Sequence, residues 1–347
     1  MGIQPTVLCR KQAKSNPGGQ EVGDCWIPGF NKVQVHFYKP SRFMSYLLPP
    51  QKDDIDLKNI FKELKCDFVH AHSPETAYYS YKLGLPTVFD DWEYWLEHAN
   101  YMREYPLQPL RKKIMHSKPR QLYHIALGYY KRKRNRAVVK KLLKKVPVIV
   151  TNSFIEQKYR ELGAKEIVWV PNVPLTYEKD YAFADKRQKF DRITTCYIGN
   201  MTMDESNLLR NTLGVRDLWR REDIGDLYVF EGKNYSPHLE IMRKVMECNF
   251  NLLFWRPLPA HRYYLQNKAF LASVVGVPTI ITSTFAATIN LLGDYALPAN
   301  SLNEIPGIIK NYDYSKKYSL NPAHLWEFYE PKIKKVYESL LSGKKFE

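Results

Sequence analysis

The chain is 347 residues long, with 44% hydrophobic residues, 14% aromatic residues and a formal net charge of +16. That composition excludes a disordered chain and gives room for two domains, each burying its own core. The five cysteines (Cys9, Cys25, Cys66, Cys196, Cys248) are scattered without a Cys-x-x-Cys pair, which excludes a disulfide framework and a thiolate metal site and fits reduced thiols in a cytosol.

In chain order, Met1 to Gly29 lacks the apolar stretch of a secretory signal. Thr6–Arg10 reads as a short strand. Asn16–Asn31, rich in Gly and Pro, reads as a loop. Short β-prone runs follow at Val33–Tyr38, Phe68–His72, Thr87–Asp90, Val148–Thr151, Ile167–Val170, Thr194–Ile198, Leu227–Phe230, Asn251–Trp255 and Thr279–Thr282. Helical patterns such as Leu57–Leu64, Ile155–Leu162 and His238–Glu247 separate them. Strand–helix alternation of this kind predicts an α/β fold of parallel sheets with helices on both faces. Pro174–Arg192 is polar and non-periodic and reads as a linker. The division expected is an N-terminal unit over 1–174, a C-terminal unit over 175–322, and a last helix packing back over 323–347, with Pro331 kinking or dividing it.

From Ala269 to Gly293 the chain carries no charge for 25 residues. A membrane span is excluded by Gly276-Val277-Pro278, which breaks the run into a helix near 266–275 and a strand near 277–282. Lys268 then falls in the first turn of a buried helix, where the dipole disfavours a cation. Either an anion sits between the ammonium and the helix N–H groups, or the lysine is solvated at a rim.

Ligands of open α/β sheets bind beyond the carboxyl ends of the strands. Three polar groups stand there. His70 and His72 share a face by strand alternation. They read as packing or substrate contacts, because no spacing in the sequence supplies a third metal ligand. Asp90 and Glu93, in Asp90-Asp91-Trp92-Glu93, read as a base, a sugar-hydroxyl contact or a helix cap. Gly199-Asn200 offers close backbone approach to a ligand. Asp54-Ile55-Asp56 reads as capping, so no metal site is expected.

Five blocks, in this order, resemble the GT-B glycosyltransferases, particularly glycosyltransferase family 4. They are CDFVHAHSPETAYYSYKLGLPTVFDDWEYW, VIVTNSFIEQKYRELGAKEIVWVPNVP, TTCYIGN, NLLFWRPLPAHRYYLQNKAFLASVVGVPTIIT and WEFYEPKIKKVYESLL. The likeness runs from about residue 60 to the end. It implies two Rossmann-like domains with parallel sheets facing a cleft, no cofactor or metal, and a nucleotide-sugar as donor substrate. It implies catalytic roles for His72, Asp90 and Glu93. Donor contacts fall to Gly199, Asn200, Arg256, Arg262, Asn267 and Lys268, with Lys268 on the diphosphate. The activity implied is metal-independent transfer of a hexose with retention. The sequence departs from the pattern where the family has two glutamates, here Tyr263 and Leu271, and where it has a histidine, here Trp92. A nucleotide-sugar epimerase and a non-catalytic relative share the fold and stay open as alternatives.

Between Arg103 and Lys145 lie 15 Lys/Arg and one acid, so this segment alone holds +14 of the charge. Apolar residues recur at helical steps over Pro119–Val146, and Lys131, Arg132, Lys133, Arg134, Lys140 and Lys141 fill much of the remaining surface. A basic amphipathic helix suits an anionic membrane and a lipid-linked or polysaccharide acceptor at the cytoplasmic face. The alternative is a helix whose stripe packs on its own domain. No recognisable nucleic-acid-binding motif accompanies the charge.

Overall fold

The structure is a computed structural model. It describes residues 6–10, 25–27, 30–38, 63, 66–92, 94–96, 133–184, 190–199, 201, 212–230 and 238–342. The architecture is α/β, as the alternation predicts, and its two larger sheets are wholly parallel.

A small sheet comes first. Strand β1 (Thr6–Arg10) pairs in parallel with β3 (Phe30–Tyr38), and β2 (Cys25–Ile27) pairs antiparallel on the other side of β3. The loop expected over Asn16–Asn31 therefore contains a strand. Cys-Trp-Ile has the aromatic and β-branched content that a pleated surface accepts. The helix expected at Leu57–Leu64 lies outside the described residues except for Glu63, which is helical.

The second sheet has the order β4 (Val69–Ala71), β5 (Thr87–Asp91), β6 (Val148–Val150), β7 (Ile167–Trp169). Helix α1 (Pro74–Lys82) starts where Ser73 Oγ accepts the Thr76 N–H at 3.1 Å, with Pro74 in the first turn. Helix α2 is described over 133–142. Helix α3 (Ser153–Glu161) is capped by Asn152, whose Oδ1 accepts the Ile155 N–H at 3.0 Å.

Helix α4 (Thr176–Phe183) occupies the segment expected to be a linker. Its charges are not solvating a loop. Glu178 accepts the Leu175 N–H at 2.7 Å, and Tyr181 donates to Glu240 on helix α6 (His238–Glu247) at 2.8 Å. The guanidinium of Arg243, also on α6, lies 3.7 Å over the Tyr181 ring. The helix thus docks through polar cross-helix contacts that a hydrophobic pattern does not display.

The third sheet contains β8 (Thr194–Ile198), β9 (Asp226–Phe230), β10 (Phe250–Leu253), β11 (Thr279–Thr282) and β12 (Ala296–Ala299), ordered β9-β8-β10-β11-β12. The intervening helices are α5 (Val215–Arg221), α6, α7 (Asn267–Val274) and α8 (Ala286–Leu292), and α9 (Ile305–Lys310) follows β12. The order doubles back after β9, so the reversal falls between β8 and β10. The uncharged run resolves into α7, a turn at Gly276 (φ +79°), β11 and α8, all within the fold. Among the described residues no helix is long and apolar enough to cross a membrane.

Helix α10 (Glu330–Ser342) begins one residue before Pro331, after two short 3-10 turns, so the proline divides the last segment rather than bending it. One face of the β4–β7 sheet packs under α1, α2 and α3 through Val69, Phe89, Val148, Val139, Leu142 and Ile155. On the opposite face Val88, Ile149 and Val168 meet Tyr329, Ile333 and Val336, and the same cluster continues to Leu253, Phe270 and Ile281 of the third sheet and its helix.

His324 is fully buried there, against the rings of Phe270 and Tyr295. Its Nε2–H donates to the Leu291 carbonyl at 2.9 Å, and Nδ1 meets no hydrogen-bond partner. A second ring proton would be a buried donor without an acceptor. Burial holds this imidazole below its ordinary value of 6.5, against the opposing pull of the Leu291 carbonyl. Below 6.5 the unfolded chain binds a proton that the folded ring resists, so stability falls as pH drops through that value. His324→Gln should flatten this part of the stability curve, measured by urea unfolding above and below it; an unchanged slope would contradict the assignment.

Candidate functional site

Strand register assembles the first group. His70 stands level with Val88 and Ala71 with Phe89, so the next level pairs His72 with Asp90. Alternation puts His70, His72 and Asp90 on one face. His70 Nε2 and His72 Nδ1 each lie 3.0 Å from the same oxygen, Asp90 Oδ2. Behind them the Tyr337 hydroxyl on α10 lies 2.7 Å from His70 Nδ1. With Nε2–H donated to Asp90, a neutral ring leaves Nδ1 to accept from Tyr337. Burial pushes the Tyr337 phenol up to about 12, and the charge of Asp90 adds to it, so the hydroxyl keeps its proton. Burial by itself would raise the Asp90 carboxyl, but the His70 and His72 hydrogen bonds outweigh it and hold the group below its ordinary value. The His72 imidazole is raised, chiefly by its bond to Asp90.

The next residue is in a different world. Asp91 points to the other face and is fully buried. Its Oδ1 accepts the Trp95 N–H at 3.0 Å and its Oδ2 accepts the Tyr159 hydroxyl. Burial pushes this carboxyl up to about 7, against the opposing hydrogen bonds. The capping role open to the Asp90 stretch thus belongs to Asp91. The sequence shows no third group beside the two histidines, and the structure brings Asp90, eighteen residues after His72, against both, because neighbouring strands rather than neighbouring residues set the spacing.

The second group sits where the third sheet reverses. Gly199 follows β8, donates its N–H to the Phe230 carbonyl at 3.0 Å and has φ +129°. A Cβ at this position would lie 2.6 Å from Lys268 Nζ. Glycine is required by its backbone angle, and a side chain here would also displace the Lys268 ammonium. Lys268 is the second residue of α7, whose preceding residue Gln266 gives no side-chain cap. Helix start, lysine and glycine meet at the β8/β10 reversal, and Trp255 after β10 donates to the Tyr197 hydroxyl beside them at 3.2 Å.

The other expected residues divide. Asn267 and Arg256 are exposed. Arg262 is exposed too, but its guanidinium donates to the Tyr263 hydroxyl at 2.6 Å and lies 4.6 Å over that ring. Tyr263 is buried in the core of the β4–β7 sheet, 4.8 Å from the Tyr94 ring, and Leu271 is buried behind β8. Both positions where the resemblance expects glutamate are thus packing positions. Trp92 is exposed. Glu93 and Asn200 lie outside the described residues. The participation of His70 was signalled by alternation; that of Tyr337 had no local signal, being 267 residues away.

On the basic segment, Val139, Leu142, Leu143 and Val146 are buried in the domain's own core, so the apolar stripe of the described part packs inward. Arg134 donates to the Tyr79 hydroxyl at 3.3 Å, and Lys133 is exposed. Five lysines (Lys82, Lys140, Lys141, Lys144 and Lys145) and one acid, Glu161, line an open groove of about 690 Å³ with Tyr78, Tyr81 and Leu162. Lys131 and Arg132 lie outside the described residues.

No family model matches the chain, and no curated protein matches it. Similar solved structures include Glycyrrhiza uralensis UGT73P12 complexed with glycyrrhetinic acid 3-O-monoglucuronide, 10% identical, covering 89% of this chain and 84% of that one at a TM-score of 0.45. The spinosyn forosaminyltransferase SpnP is 13% identical, covering 88% and 87% at 0.42. LpCGTa in complex with UDP is 9% identical, covering 90% and 83% at 0.40.

Gly199→Ala should lower stability by about 1–3 kcal/mol, the usual cost of forcing a side chain into a sparsely populated backbone region. Urea unfolding measures it, and a variant as stable as the parent would contradict the strained backbone angle at this position.

Proposed function

We propose that this chain is a GT-B glycosyltransferase that binds a nucleotide-sugar in the crevice between the ends of β8 and β10. The observation that carries the reading is the contact of Gly199 with the Lys268 ammonium at the start of α7. A bare backbone and a cation in the first turn of a helix converge at the sheet's reversal point, which suits a diphosphate. A cation there also stabilises charge as it builds on the departing nucleoside diphosphate, so the donor needs no divalent metal for that purpose. In this reading residues 175–322 hold the donor, residues 1–174 hold the acceptor, and 323–347 pack back on the first unit. His72, Asp90 and Glu93 are assigned the catalytic roles, and Gly199, Asn200, Asn267, Arg256 and Arg262 are assigned donor contacts beside Lys268, in keeping with the resemblance. The transferred group is a hexose, moved with retention, in keeping with the family resemblance.

A second reading has its own support. Tyr263 and Leu271 stand in the cores at both glutamate positions, and neither supplies a carboxylate for the donor. A protein that binds nucleotide without turning over sugar fits this replacement. The two readings agree on the nucleotide and separate on turnover.

The acceptor proposed is a lipid-linked or polysaccharide chain at an anionic cytoplasmic membrane face. The support is the lysine groove. Since the stripe beneath it is buried, contact would be by charge rather than by insertion, at about 1 kcal/mol per lysine and screened by salt.

A thermal-shift series with UDP, GDP, dTDP and ADP tests the donor site. One nucleotide should stabilise the protein, and Lys268→Ala should weaken its binding about 10–100-fold, as loss of a charge-assisted hydrogen bond of about 1.5–3 kcal/mol implies. No stabilisation by any of the four in a folded sample would sink the reading. For the surface, the double change Lys140→Glu and Lys141→Glu should cut sedimentation with anionic vesicles about tenfold or more and leave folding intact. Equal binding would remove the membrane from the proposal.

A further inference from the structure

The geometry points to a mononuclear site for a divalent first-row transition metal, built from His70 Nε2, His72 Nδ1 and Asp90 Oδ2. One ligand atom from each of the three residues lies within 4.8 Å of the others. Two imidazoles and one carboxylate form the donor set of three-ligand zinc and iron(II) centres, in which the remaining positions stay open for water or a substrate oxygen. Magnesium and calcium prefer all-oxygen shells, so the nitrogen-rich set selects against them.

The scaffold is suited to the task. His70 and Asp90 stand on hydrogen-bonded neighbouring strands, so their separation is fixed by the ladder rather than by a loop. Ligands about 2.0–2.2 Å from a tetrahedral metal lie roughly 3.3 Å apart, and both imidazole nitrogens already approach the shared oxygen closely. Each is at 3.0 Å, so that pair of separations needs only a few tenths of an ångström of opening.

The bond behind His70 supports the same conclusion. A ligating histidine is oriented by a partner on its other nitrogen. Tyr337 supplies that partner at 2.7 Å. Its hydroxyl both donates and accepts. When His70 turns the Nε2 lone pair to a metal, its proton moves to Nδ1 and the contact with Tyr337 survives with the roles reversed. His72 is 65% exposed at the side chain, which leaves a path for the ion and an open outer face. Without a metal both histidines approach the same Asp90 oxygen, so the three groups stay together in its absence. The site shares His72 and Asp90 with the acceptor side proposed above, but it is argued from ligand geometry and does not require that reading.

Zn²⁺ titrated into the tag-free full chain by calorimetry should reveal a single tight site, and Mg²⁺ should give no binding. His72→Ala, at an exposed position that tolerates truncation, should weaken Zn²⁺ at least tenfold, and Asp90→Asn should do the same while preserving shape. Tyr337→Phe should weaken it about 10–100-fold, because the orienting bond is lost while the ring remains. Zn²⁺ binding that survives both His72→Ala and Asp90→Asn, or no binding by the parent chain, overturns the site; unchanged affinity in Tyr337→Phe overturns the role given to the tyrosine.

Discussion

A parallel sheet has no face to spare for water, and the described residues form two wholly parallel ones. Each must be covered on both sides by segments that leave and return along the same direction. That requirement accounts for the short helix between nearly every pair of strands, and for the dense burial of β6, β8, β10 and β11. It also accounts for the last helix. The side of the β4–β7 sheet carrying Val88, Ile149 and Val168 has no cover from α1, α2 or α3, and the segment around Tyr329, Ile333 and Val336 closes it.

The same requirement fixes where polar chemistry stands. Within a covered sheet a polar side chain is expensive unless bonded, so polar groups collect where the strands end. Asp90 and Asp91 show the consequence of one step along such an end. One carboxylate is bonded by two imidazoles and stays ionised readily. Its neighbour, turned inward, meets a tyrosine and a backbone amide and holds its proton far longer. The difference arises from the pleat, not from residue type.

Much of this was legible beforehand for a physical reason. Buried parallel strands are runs of β-branched residues, and Gly-x-Pro turns punctuate them, so β5 to β8, β10 and β11 announce themselves. Lys268 stood out because a cation at the head of a buried helix has to be explained. Other features are set by partners distant in sequence. The register of β4 against β5, which brings Asp90 to the histidines, leaves no trace in either strand alone. Helix α4 is held by Tyr181, Glu240 and Arg243, so its pattern reads as polar linker until its partner is in view. Tyr263 occupies a position where the resemblance leads one to expect an acid, and only packing reveals that its ring belongs to the other sheet's core.

That last placement has a mechanical side. The turn Pro259–Tyr263 belongs by sequence to the third sheet, yet Ala260 and Tyr263 are rooted in the core of the second, and Asn152 clasps the Tyr263 carbonyl at 2.8 Å. Lys268 follows five residues later. Five residues of chain reach at most about 17 Å, so the lysine is moored on a short tether to the opposite half of the molecule. The segment that carries the cation is therefore anchored at one end in the core of the second sheet and at the other, through Ala269 and Phe270, beside the third.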